Sequence, residues 1–161
     1  MTGVLHRLIN KSGRTIQAFL PGFARPDDAF ARQWLDDAGW RLYMQMDSRD
    51  RSHCVLVARR LLASGVTDRE LIAAGLLHDV GKSLLPFSAW QRVISHLWRP
   101  VGLPQTPLQP GLRGALQLRE HHEALAVRML SEAGVDSRVT AIISDLAAGA
   151  DSAAVQQLRE A

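Results

Sequence analysis

Apolar residues recur three and four positions apart along most of this chain, and stretches with strand-like alternation are few, which is the pattern of amphipathic helices. Phe30, Trp34 and Ala38 mark one stripe behind Asp27 or Asp28 as N-cap, and Leu42, Tyr43 and Met46 mark a second helical stretch. His53, Val57 and Leu61 share the next face, which ends near Gly65. Thr67 to Glu70 spell a T-x-x-E capping box that predicts a helix from Asp68 to Asp79 or Val80, with Gly81 ending it. Ser88 to Gln91 form a second box, S-x-x-Q, ahead of a stripe of Trp90, Val93, Ile94, Leu97 and Trp98 that Pro100 closes. Residues 99–111, rich in proline, read as a loop. Leu118, His122, Leu125, Ala126, Met129 and Ala133 predict a long helix stopped by Gly134. Val139, Ile142, Ile143 and Leu146 predict another, stopped near Gly149, and a last short helix begins at Asp151 or Ser152. The expectation is an all-α fold: one compact domain of about seven or eight helices over residues 27–161, behind an extension, residues 1–26, that holds a short helix and a loop.

Composition narrows the class. With 161 residues, 47% apolar and 22% charged, the chain is long enough for one globular domain with its own core. Its longest apolar run, Leu71 to Leu77, is far short of the roughly 20 residues a membrane-spanning helix needs, so no membrane partner is expected. The N-terminus lacks the apolar region and small-residue cleavage site of a signal peptide, which makes the cytoplasm the expected location. Cys54 is the single cysteine; it forms no intramolecular disulfide and no CxxC zinc site, so any metal has to use histidine and carboxylate. The net charge of +3 rests on 19 cations, 17 of them arginine, dispersed along the chain. That dispersal disfavours a nucleic-acid partner, which wants a basic stripe. Arginine also suits a phosphorylated small molecule, whose oxygens match the guanidinium fork, and it serves equally as solvated surface.

Candidate chemistry gathers around histidine. His78 follows Leu71, Ala74 and Gly75 at helical spacing, so it lies on an apolar stripe at the end of its helix, with Asp79 beside it. His53 lies in line with Val57 and Leu61. A carboxylate in an apolar setting needs a partner, and a divalent cation is the strongest available. Two inward histidines and an aspartate suit Mn, Fe, Mg, Co, Ni or Zn. Each histidine taken alone also reads as a hydrogen-bonded core residue. His6 and His96 join no such constellation.

These residues, His53 preceded by DRS and the run LIAAGLLHDVGK 25 positions on, resemble the HD-domain superfamily of metal-dependent phosphohydrolases, in the branch with an HDxGK motif. The resemblance covers residues 47–146, and it implies an HD-type helical domain whose metal ligands are His53, His78, Asp79 and a later aspartate. It also implies hydrolysis of a phosphomonoester or phosphodiester bond, with a nucleotide-like substrate. Asp79 would act as ligand and orienting base, and Lys82 would stabilise charge developing on the phosphoryl group. The segment His121 to Gly134 matches a family helix that opens on a histidine, and counting back from Glu-Ala-Gly selects His122 as a further ligand or phosphate-binding group, with His121 as the alternative. Arg51 and Arg119 are the candidate phosphate contacts. Where family members that bind two metals carry another histidine, this chain reads IISDLAAG. Asp145 is the candidate for the closing aspartate; Asp151 and a residue beyond Ala161 are the alternatives. That departure keeps open a second class of function, a non-catalytic HD domain that senses a ligand or binds a protein.

Overall fold

The computed structural model describes residues 25–86, 91, 94, 97 and 102–161. The helix expected in residues 1–26, the Ser88 capping box, most of the Trp90–Trp98 helix, His6 and His96 lie outside the described residues; Gln91, Ile94 and Leu97 are helical. The described chain is all-helical, without a strand. Its elements are α1 (Asp28–Trp34), α2 (Asp37–Tyr43), α3 (Ser48–Ala63), α4 (Arg69–Leu77), a 3-10 turn (Val80–Leu84), α5 (Gly111–Ala133), α6 (Ser137–Ala147) and α7 (Ala153–Glu160).

Aspartates start most of these helices, because a carboxylate at the N-cap accepts from backbone N–H groups that have no partner within the helix. Asp27 accepts from Phe30 N at 3.0 Å, Asp36 from Gly39 N at 2.7 Å, and Asp47 from Arg49 N and Asp50 N. Ala38, placed by its spacing on the first stripe, belongs to α2, since the chain is extended at Leu35 and restarts on Asp36. The cap of α4 is Asp68 itself, which accepts from Glu70 N and Leu71 N, and not Thr67. Gly134 closes α5 at φ 73°, a left-handed conformation that glycine adopts without a Cβ clash.

Helix α4 is the centre of the molecule. All of Leu71 to Leu77 is buried, and α1, α2, α3, α6 and α7 pack around it. The expected single buried stripe is therefore a helix buried on every side, which a run with no polar side chain permits. Gly75 makes this arrangement tight: a Cβ there would stand 3.0 Å from Leu61 Cδ1 and 3.4 Å from Val57 Cγ1 of α3. The helix also ends earlier than its apolar pattern suggests. His78 is the C-cap, and Asp79, at φ −94° and ψ 1°, turns the chain into the 3-10 segment, which packs on α5. The end of α4 is thereby pressed between α3 and α5, and the histidine–aspartate doublet sits at that junction.

Asp68 ties the start of α4 to the start of α6, because Arg138 pairs with both Asp68 and Glu70. Burial opposes ionisation of Asp68, but the Leu71 and Glu70 N–H groups and Arg138 outweigh it and hold the carboxyl below its usual range. A carboxyl with a depressed folded-state pKa contributes stability above its unfolded value, near 3.9, and that contribution is lost as pH falls through the folded value. Asp68→Ala is expected to cost about 1–2 kcal/mol in urea unfolding at pH 7, a deficit that shrinks below about pH 4. Asp68→Asn keeps the cap and is expected to lose less.

Candidate metal centre

Asp79 is 1% exposed, and three elements bring basic groups to it. From its own turn, Lys82 Nζ lies 2.6 Å from Oδ1 and His78 Nε2 3.6 Å from the same oxygen. From α5, His122 Nε2 stands 3.4 Å from Oδ1. From α3, His53 Nε2 lies 3.8 Å from Oδ2, and its ring meets that of His78 edge-on at 5.4 Å. The structure thus gathers His53, His78, Asp79, Lys82 and His122 from positions spread over 70 residues of sequence.

The two carboxylate oxygens have different surroundings. Oδ1 is held by the ammonium of Lys82, with two imidazoles near it. Oδ2 is shut off from solvent and accepts no hydrogen bond, a state that ordinarily costs about 1–3 kcal/mol. Burial raises the cost of charge on Asp79, but His78, Lys82 and His122 outweigh it and hold the carboxyl well below the usual range. Burial works against the Lys82 ammonium too, and the charges of Asp79 and Asp50 more than offset it.

Backbone carbonyls set the histidine tautomers. His78 Nδ1 lies 2.9 Å from Gly75 O, and His122 Nδ1 lies 3.2 Å from both Leu118 O and Arg119 O. A carbonyl only accepts, so Nδ1 carries the hydrogen in each ring and, in the neutral form, Nε2 turns a lone pair toward Asp79. This is the carbonyl-oriented histidine of metal sites. Donor atoms of His53, His78 and Asp79 all lie within 4.8 Å of one another. Two ligands each about 2.1 Å from one ion stand about 3.0–3.4 Å apart, so these three side chains would have to draw together around an ion. The orphaned Oδ2 and the two imidazoles fit a divalent cation: hard oxygen, borderline nitrogen, no thiolate. Cys54 Sγ, 3.9 Å from His78 Nδ1, is fully buried, and burial and Asp79 push its pKa up, so it enters as a neutral packing group.

The remaining sequence candidates are placed elsewhere. Asp145 is exposed on α6; at 100° per residue it lies about 110° from the centre of the stripe formed by Val139, Ile142, Ile143 and Leu146. Asp151 is exposed as well, accepting from Gln156 Nε2 at 2.7 Å. Neither belongs to the cluster among the described residues, which corrects Asp145 as the candidate for the closing aspartate and Asp151 as its alternative within the chain. Arg51 pairs with Asp28 at 2.8 Å and lies over the Tyr43 ring, an anchor between α1, α2 and α3 where a phosphate contact was expected. Arg119 is half-buried and lends its carbonyl to His122. His121, which the spacing left as an alternative, bonds through Nε2 to Leu103 O at 2.7 Å.

Sequence reasoning missed two groups. Asp50 is buried one turn ahead of His53 on the same face of α3, and that spacing, three from His53 and four from Cys54, was its signal. Gln117 is fully buried; it donates to Pro104 O and Pro107 O, accepts from Gln109 N, and so fastens residues 104–109 to α5. Its signal was GALQL, a stretch of α5 without charge between Arg113 and Arg119.

Gly81 governs how closely α5 comes. A Cβ there would stand 2.0 Å from His122 O and 3.0 Å from Ala126 N, and backbone atoms of a long helix cannot yield as a flexible side chain does. Gly81→Ala is expected to lower stability by about 1–3 kcal/mol and to displace His122 from Asp79, read by urea unfolding and by the His122 ring resonances in NMR. Native stability with an unmoved His122 ring would show that the contact is not limiting. Comparisons with protein-family models, curated proteins and solved structures gave no match for this chain.

Proposed function

We propose that this protein is a metal-dependent phosphohydrolase of the HD type, acting on a phosphomonoester or phosphodiester of a nucleotide-like small molecule. One observation carries the reading: a buried aspartate with one oxygen neutralised by lysine and the other without a hydrogen bond, facing carbonyl-oriented histidines. His53, His78 and Asp79 would hold the ion, with His122 Nε2 3.4 Å from Asp79 Oδ1 beside them. A divalent ion bound there lowers the pKa of a coordinated water and screens phosphate charge. Asp79, buried and ionised, would hold the ion and orient its water. Lys82, tethered to Asp79 Oδ1 with about a quarter of its side chain exposed, is placed to meet negative charge that develops on a phosphoryl oxygen. His122, whose Nε2 stands 3.4 Å from Asp79 Oδ1, would serve as a further ligand.

The second class, a sensing or interaction domain, draws support from the position of Asp145: with that carboxylate on the outer face of α6, three donors make the only such cluster among the described residues. Hydrolysis separates the two. The purified chain is expected to carry a divalent metal and, with added Mn, Co, Ni or Mg, to hydrolyse p-nitrophenyl phosphate or its bis-ester. Asp79→Ala should lose both metal and at least about 100-fold in rate, since even outer-shell partners cost 10–100-fold. His122→Ala should slow hydrolysis, whereas His121→Ala should leave it unchanged. Metal without hydrolysis across the panel would favour the sensing domain, and retention of metal by Asp79→Ala would overturn the centre itself.

A further inference from the structure

Arg51, which the metal centre leaves unused, makes a contact that no other cation of the described chain makes in this form. Its Nη1 donates to Asp28 Oδ2 at 2.8 Å and lies 3.1 Å from the sulfur of Met44. The guanidinium is held in one orientation: the other oxygen of Asp28 accepts from the Tyr43 hydroxyl at 2.9 Å, and the guanidinium lies over the Tyr43 ring. Tyr43 is fully buried, and burial together with Asp28 pushes its phenol pKa up, so the hydroxyl stays a donor. Met44 differs from the other methionines among the described residues. It is the C-cap of α2 and is 44% exposed, whereas Met46 and Met129 are buried at 3% and 9%. A thioether sulfur is a weak acceptor with two lone pairs. With an N–H of a fixed guanidinium against one of them, the other is the one open to a reagent from solvent.

We propose that Met44 is a site of reversible oxidation by peroxide, and that Arg51 decides which of the two sulfoxide epimers forms. The open lone pair of Sδ attacks one peroxide oxygen and the O–O bond breaks. The transferred hydroxyl gives its proton to the departing hydroxide, so sulfur is oxidised to the sulfoxide and the peroxide is reduced to water. A sulfoxide sulfur is chiral, and the side from which oxygen arrives fixes its hand. The guanidinium covers one side, so one epimer dominates. The same neighbour suits the product. A sulfoxide oxygen is a stronger acceptor than a thioether, and the flexible methionine side chain can turn it toward Arg51, where a charge-assisted hydrogen bond replaces a weak contact. Oxidation at Met44 therefore places the new polar group at a surface cap beside a cation, where at Met46 or Met129 it would enter the core. A thiol-dependent sulfoxide reductase supplies the two electrons that return sulfur to the thioether.

Hydrogen peroxide in limiting amount is the probe. At neutral pH the folded chain is expected to gain oxygen at Met44 at least about tenfold faster than at Met46 or Met129, since susceptibility follows exposure, with tandem mass spectrometry assigning the residue. The resulting peptides are then treated separately with the two sulfoxide reductases, each specific for one epimer. One enzyme is expected to remove about nine-tenths of the Met44 sulfoxide formed in the folded chain, whereas chain oxidised in urea should yield the two epimers in nearly equal amounts. Arg51→Gln is expected to keep the fast oxidation and lose the preference; should it fail to fold, the comparison of folded with urea-oxidised native chain still decides. The oxidised native chain is expected to keep its helical circular dichroism and its urea midpoint. Equal epimers from the folded native chain, or an undiminished preference in folded Arg51→Gln, would overturn the role of Arg51. Oxidation of Met46 or Met129 as fast as Met44 would overturn the site, and a lowered urea midpoint after oxidation would overturn the product's bond to Arg51. None of these readings depends on the metal centre.

Discussion

Everything in this molecule that bears on chemistry depends on keeping one ionised carboxylate out of water. An isolated charge buried as deeply as Asp79 would revert to its neutral form or unfold the site, because desolvation outweighs any single weak contact. The fold prevents this with groups from three elements. Lys82 comes from the same 3-10 turn, His78 from the end of α4, and His122 from α5. None of these helices supplies enough alone, so the carboxylate is stable only where they converge. Helix α4 is what fixes that point: its run Leu71 to Leu77 is buried on every side and carries no polar side chain.

The helical architecture was legible in the sequence because each helix carries both a periodic pattern and a punctuation mark. Gly65, Gly134 and Gly149, all at positive φ, and the aspartate and serine caps stand at or within a residue of the places where periodicity changes. The site was legible in part for a local reason: the His78–Asp79 doublet and Lys82 lie within one turn, where backbone geometry alone decides the contact. His122 was selected over His121 by its place among Leu118, Leu125 and Met129, and the structure puts it against Asp79 while His121 serves the loop at Leu103.

What escaped was decided by tertiary contacts. Asp145 has the spacing of a ligand, but spacing carries no information about which way α6 is rotated, and Ile142 and Ile143 set that rotation by burying themselves. Arg51 reads as a phosphate contact until Asp28 and Tyr43, 23 and eight positions earlier, are seen to claim it. Asp50 and Gln117 read as ordinary polar surface, because a one-dimensional pattern does not reveal that the polar side of a helix will be covered by another segment. Gln117 is satisfied by residues 104–109, which fold back over α5, and Asp50 is buried beside His53 on α3.

The close approach of Gly81 to the carbonyl of His122 also governs how substitutions in this region combine. Free-energy changes add when two sites share no partner and fail to add when one displaces the other. The backbone of residue 81 abuts the very residue whose ring faces Asp79. A side chain added at 81 and a ring removed at 122 therefore act on one geometric variable, the distance between the 3-10 turn and α5. The cost of the pair is set by that distance and not by the sum of the two changes, so α5 and the turn behave energetically as a single piece.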